Sequence, residues 1–151
     1  MEATVQAFNH LPRPRTTPTG LPNHWYFTVR HVPLNPPGDL VHLVHPPSEY
    51  IHCAGPRPIL SLPSPAAQAD VVVPLLLESF VSGMMGKGPD GERLSTPVFA
   101  PWSWGTKDAG LARAIEAKLK DIGVREELCT VQYGSRDDEN RSDESWSGFF
   151  G

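Results

Sequence analysis

Proline constrains this chain more than any other residue. Fourteen of its 17 prolines lie within the first 75 residues. Each one fixes φ, removes a backbone donor and disfavours both helix interiors and central strands. This density argues against an all-helical bundle and points to a strand-rich first half followed by a helix-rich second half. The second half holds three prolines and most of the charge. Residues 1–75 carry four basic and four acidic side chains, whereas residues 76–151 carry nine and 13, so the net charge of −4 arises wholly there. Neither half has the apolar material to close a core alone, and 151 residues is the size of one domain. The pattern predicts a single α+β domain over residues 23–151. An antiparallel-rich sheet from the N-terminal half is covered by about three helices from the C-terminal half. Residues 1–22, with four prolines and no apolar period, read as an irregular N-terminal arm.

The extended runs are visible one by one. His24–Leu34 is dense in aromatic and β-branched residues and reads as a strand that Pro33 closes. Asn35-Pro-Pro-Gly is a turn signal, and Asp39–His45 reads as the partner strand. Tyr50–Ala54 and Ile59–Leu62 supply one or two more. Ser64-Pro65 is a favoured helix start, and Val72, Leu75, Leu76, Ser79 and Phe80 keep a helical period beyond it. Pro74 either kinks that helix or marks its true first turn, with Asp70 as the cap. Gly86–Gly91 is a loop, and Ser95–Trp104 is extended by its prolines. The clearest element follows: a cap at Thr106, an apolar stripe of Leu111, Ala112, Ile115, Leu119 and Ile122, and a stop at Gly123 with Val124 folding back. Leu128–Tyr133 reads as a short strand. A last acidic helix, starting at Ser135 or Asp137, brings Trp146, Phe149 and Phe150 toward the core.

Charge and composition exclude some functions. With a net charge of −4 the chain is no general binder of nucleic acid or of acidic membranes. The longest apolar run, Val71–Leu77, is too short to span a bilayer, and no secretory signal is visible. Two cysteines, Cys53 and Cys129, are too few for a disulfide scaffold or a four-cysteine zinc site. These features predict a soluble, cytoplasmic protein, with the nucleus as the alternative compartment.

Three groups of residues could carry chemistry. The histidines come first: His24, His31, His42, His45 and His52, with Cys53 beside the last. Imidazole and thiol ligands suit zinc, so His42, His45, His52 and Cys53 are candidate metal ligands. Their spacing argues against a site, because His42 and His45 are an odd number apart and face opposite ways on a strand. No cofactor is implied. Acid–base work by His31, His42 or His52 with Asp39, Glu49 or Glu78 is the second possibility. No nucleophile elbow, phosphate loop or dinucleotide fingerprint supports it. The third is Trp102 and Trp104, which share a face if the segment is a strand. Exposed, they form a shelf for a protein partner or a small apolar ligand; buried, they anchor the core.

The second half also resembles a known family. Pro101-Trp-Ser-Trp-Gly-Thr-Lys-Asp, the helix Leu111–Ile122, Gly123-Val-Arg-Glu-Glu-Leu-Cys-Thr-Val and the closing Asp143-Glu-Ser-Trp146 with Phe149-Phe150 resemble the non-finger domain of fungal proteins that also carry a MYND zinc finger. The upstream Ile59-Leu-Ser-Leu and Leu75-Leu-Leu-Glu-Ser-Phe-Val are more distantly similar to bacterial domains of unknown function. The likeness covers residues 59–150. Two cysteines cannot make the finger, so it implies no zinc, no finger-mediated peptide binding and no catalytic residue. Two functions stay open. One is a non-catalytic interaction or regulatory domain using Trp102 and Trp104 or the acidic last helix. The other is a small cofactor-free isomerase, cyclase or hydrolase with a histidine base in a pocket between sheet and helices.

Overall fold

The computed structural model describes residues 2–33, 37–48, 50–82 and 98–150. Glu49, the Gly86–Gly91 loop, the first part of the Ser95–Trp104 run, Asn35 and Pro36 of the Asn35–Gly38 turn and the side chains of Phe149 and Phe150 lie outside the described residues. Helix α1 (Glu2–Asn9) precedes strands β1 (His24–Val32), β2 (Gly38–His45) and β3 (Tyr50–Arg57). Then come α2 (Pro65–Ser82), β4 (Ser103–Thr106), α3 (Ala109–Asp121), β5 (Gln132–Tyr133) and α4 (Arg136–Phe150). The five strands form one mixed sheet in the order β3-β2-β1-β4-β5. The proline-rich half supplies the antiparallel hairpins β1–β2 and β2–β3, and the second half adds β4 and β5 in parallel beside β1. The α+β architecture is as the pattern predicts.

Alternation along β1 and β2 separates two faces. Trp25, Phe27, Val41 and Leu43 are buried on the face covered by α1, α2 and α3. Tyr26, Arg30, His42 and Val44 face α4. Gly134, at the turn into α4, is required there: a Cβ on it would collide with the Tyr26 ring. The core on the first face is aromatic. Trp104 of β4 stacks on Phe8 of α1 at 5.9 Å between ring centroids and meets Phe80 and Phe27 edge-on.

Several local expectations are corrected. Residues 1–22 are not an irregular arm throughout, because Glu2–Asn9 is helical and buries Val5 and Phe8. The prolines begin only at Pro12, so the eight residues of α1, which all precede it, are free to coil. Ile59–Leu62 is a turn rather than a strand: the buried Asp39 carboxylate accepts the N–H groups of Ile59 and Leu60 at 3.0 and 2.8 Å, which curls the chain. Helix α2 runs through Pro74 from a start at Pro65, with Ser64 Oγ accepting the Ala67 N–H. The α3 cap is Asp108, which accepts the Leu111 N–H, while Thr106 ends β4. The predicted strand Leu128–Tyr133 shrinks to two residues after a 3₁₀ turn at Glu126–Leu128.

The α3 stripe and stop agree with their prediction. Leu111, Ala112, Ile115 and Leu119 are buried, Gly123 adopts φ +88°, and Val124 N–H returns to Leu119 O in a Schellman closure. Truncating Ile115, which is fully buried, to alanine is expected to cost about 2–5 kcal/mol. Lys118→Ala removes only a partly exposed pair with Asp70 across α2 and α3, and its cost is expected to stay under about 1 kcal/mol. Urea denaturation of both variants separates them; equal small losses would refute the packing role of the stripe.

Candidate functional site

The surface around Trp102 is assembled by one buried residue. Asn23, just before β1, donates from Nδ2 to Pro14 O at 2.8 Å and to Ala100 O at 2.9 Å, and its Oδ1 accepts the Trp25 indole N–H. Its backbone carbonyl accepts the N–H groups of both Trp102 and Ser103. Two consecutive N–H groups on one carbonyl cannot belong to one extended ladder, so the alternation that starts at Ser103 does not reach back to Trp102. Trp104 therefore enters the core at 1% exposure, while Trp102 stays outside at 37%. The two rings do not form a joint shelf.

Trp102 is covered by charge instead. Asn23 holds residues 14–15 against the same edge, and Arg13 places its guanidinium 4.1 Å from the Trp102 ring centre, with Arg15 at 4.9 Å. Arg13 Nη2 also donates to Trp102 O at 2.6 Å. Arg125 approaches from the turn after α3: its Nη2 donates to Leu11 O at 2.8 Å and its backbone N–H to Asn9 Oδ1. Glu127 is the acidic neighbour, 4.0 Å from Arg125 Nε. Burial first, then the charge of Arg125, hold the Arg13 guanidinium below its ordinary pKa, with Glu127 opposing. An acidic chain thus presents two guanidiniums over an exposed indole, with a third, Arg125, acting on Arg13 as a like charge.

The histidines are dispersed. His31 is brought to a carboxylate: its Nδ1 lies 2.9 Å from Asp39 Oδ1. Burial of Asp39 works against its charge, but His31 and the N–H groups of Ile59 and Leu60 hold the carboxyl below its ordinary value. His42 is fully buried under α4, with Ser142 Oγ 3.4 Å from Nδ1 and Ser145 Oγ 3.2 Å from Nε2. His45, on the opposite face of β2, bonds Ser48 Oγ and Pro22 O. His52 is half-buried, and burial lowers its pKa; no carboxylate pairs with it among the described residues. Glu78 is exposed on α2 and meets none of these rings. Among the described residues no three histidine, cysteine, aspartate or glutamate side chains converge, so His42, His45, His52 and Cys53 are not gathered into a metal centre.

Sequence reasoning names His24 in the histidine series but assigns it no partner. Its Nδ1 lies 2.8 Å from Ser103 Oγ and its Nε2 2.8 Å from Asp138 Oδ2, joining β1, β4 and α4. The residue types are those of a nucleophilic triad. The N–H groups of Ser103 and Trp102 are both spent on Asn23 O, however, so neither is available to an acyl oxyanion. The chain of bonds is a tie between elements. A hollow of about 300 Å³ between Val29, Leu60, Leu111, Lys107 and Asp108 has no histidine in its lining. Asp108 is engaged as the α3 cap, and Lys107 pairs with Glu139 at 2.6 Å.

Comparison with family models, with curated proteins and with solved structures returned no match. No helix among the described residues is long and apolar enough to cross a membrane.

Proposed function

We propose that this chain is a non-catalytic interaction domain, regulatory in role, that docks an acidic segment of a partner protein on the Trp102 surface. The observation that carries this is the exposed indole stacked with Arg13 and Arg15 in a chain whose net charge is −4. Arginine over an aromatic face keeps its donors directed sideways, where a carboxylate can take them two at a time. Arg15 has no carboxylate partner among the described residues. A kinship with the non-finger domain of MYND-finger proteins belongs to the same proposal, since that domain has no chemistry to transfer. A cytoplasmic setting is supported by two free thiols, Cys53 and Cys129.

An acid–base enzyme is the second reading, and it has the His31–Asp39 pair in its favour. It is weaker because the hollow between sheet and helices has no histidine in its lining. Titration calorimetry against pools of short peptides graded in Asp and Glu content separates the two. The acidic pools are expected to bind, more weakly at high salt. Trp102→Ala or Arg15→Glu should each reduce that affinity at least about tenfold, the equivalent of about 1.4 kcal/mol. Binding that ignores both substitutions, or no binding by any pool, overturns the docking surface.

A further inference from the structure

The guanidinium cluster is richer in donors than a single carboxylate needs. Arg13 and Arg15 lie over the Trp102 ring, Arg13 and Arg125 both reach Glu127, through its backbone carbonyl and its carboxylate respectively, and among the described residues Glu127 is the one carboxylate that pairs with any of the three. Arg13 and Arg125 act on each other as like charges. Each has spent Nη2 on a backbone carbonyl, of Trp102 and of Leu11 respectively. The Nε groups of both are sealed from solvent with no hydrogen-bond acceptor among the described residues. Their Nη1 groups also have no acceptor among the described residues, and both side chains are only part-buried. Two neighbouring guanidiniums with donors unspent, and with three charges against one, call for a dianion.

Both arginines are also held in place. Stacking and the bond to Trp102 O fix Arg13, while the Asn9 side chain fixes the Arg125 backbone. Asn9 is itself anchored through Nδ2 to Gly123 O at 2.9 Å. Ordering such a site on binding costs little rotamer entropy, because that freedom is already lost in the free protein. A phosphorylated side chain carries about −1.5 to −2 charges and three acceptor oxygens, against one charge and two oxygens for Asp or Glu.

We infer that Arg13, Arg15 and Arg125 form an oxyanion site, and that the segment docking at Trp102 is anchored there by a phosphorylated serine or threonine. The inference rests on Trp102 being the docking surface. Charge-assisted, paired donors make arginine clusters selective for phosphate over an uncharged hydroxyl.

The test uses the full chain, labelled with ¹⁵N, and one degenerate short peptide pool in three forms, with phosphoserine, glutamate or serine at its centre. The phosphoserine pool is expected to bind about tenfold tighter than the glutamate pool, with the serine pool weaker still. The Nε–H signals of Arg13 and Arg125 should shift during that titration. Arg15→Gln, which removes an exposed guanidinium that holds no hydrogen bond among the described residues, and Arg125→Gln should each bring the phosphoserine pool down to the glutamate level. Equal affinity for phosphoserine and glutamate pools overturns the phosphate anchor and leaves the docking surface standing. If no pool binds, both fall. A phosphoserine preference that survives Arg15→Gln and Arg125→Gln places the phosphate elsewhere and overturns the site. Inorganic phosphate is the remaining arm: if it shifts the same Nε–H signals and binds as tightly as the phosphoserine pool, the site takes free phosphate and the peptide anchor is overturned.

Discussion

Replacing Trp104 by alanine is expected to destabilise the protein by about 3–5 kcal/mol, the largest loss from any single truncation proposed here. Its ring is the meeting point of four elements. It lies against Phe8 of α1, Phe27 of β1 and Phe80 of α2, and it pairs across the sheet with Trp25. Removing it takes away the surface against which α1 is held, since Phe8 contacts both Trp104 and Phe80. Trp104→Phe is the informative companion. The indole Nε1–H of Trp104 is buried without an acceptor among the described residues, a condition that costs about 1–3 kcal/mol. Phenylalanine removes that orphaned donor while keeping a ring, so the gain offsets part of the lost contact area. The expected net change is under about 1.5 kcal/mol. Urea denaturation of both variants settles the matter: if Trp104→Phe loses as much as Trp104→Ala, the N–H is bonded in solution and that bond, rather than ring packing, is what Trp104 contributes.

The parts of this fold that can be read from the sequence are those in which local signals agree. Helix α3 has its stripe, its left-handed Gly123 and its Val124 return encoded within fifteen or so neighbouring residues, and all three appear. The strands β1 and β2 are dense in β-branched and aromatic residues and bounded by proline, and they form where expected. What was misread depends on distant partners. The Ile59–Leu62 segment has the composition of a strand, but Asp39, twenty residues earlier, takes its N–H groups. Helix α1 is short, and the stability of so short a helix comes from Phe8 reaching Phe80 and Trp104 rather than from its own propensity.

The candidate site follows the same division. The parity argument correctly sets His42 and His45 on opposite faces, because it needs only the strand period. It pairs Trp102 with Trp104 wrongly, because the period is broken by the Asn23 carbonyl, about eighty residues upstream. The sequence does hold one clue in Arg13-Pro14-Arg15: the two arginines are two apart in an extended segment, a spacing that can put both side chains on one side. Nothing local announces that they meet Trp102, or that Arg125 joins them from beyond α3. Nor does it announce that His24, Ser103 and Asp138 align, since these sit on three separate elements.

Acidification is expected to weaken the fold between pH 6.5 and about 4, with His42 as the principal cause. The ring is fully buried between β2 and α4. Burial first, and Arg30 second, push its pKa from 6.5 down to about 4, with Asp143 opposing. The unfolded chain takes up this proton near pH 6.5, whereas the folded chain does so only near 4. Between those values the unfolded state binds more protons, so folding stability falls as the pH falls. Above 6.5 the contribution is whole, and below about 4 no more is lost through this residue. At about 1.4 kcal/mol per pH unit the interval is worth roughly 3 kcal/mol, a large share of an ordinary stability of about 5–15 kcal/mol. His45 and His52, whose pKa values burial also lowers, add slope of the same sign. Asp39 acts in a lower range, since its depressed carboxyl loses its contribution only as the pH falls through its folded value. The groups facing His42 show where the damage lands. From β1 comes Arg30, which donates to Ser142 and Asp143; from β3 comes the Cys53 position; from α4 come Ser142, Ser145 and the Trp146 ring. A second cation beside Arg30 must separate α4 from the sheet before water can reach it, so α4 amides should lose hydrogen-exchange protection first. Urea denaturation across this range, repeated on His42→Gln, tests the assignment. The variant gives up the ring contact with Trp146 and starts less stable, but its stability should decline far less steeply with acid. An unaltered slope would assign the acid sensitivity to other groups and leave His42 as packing alone.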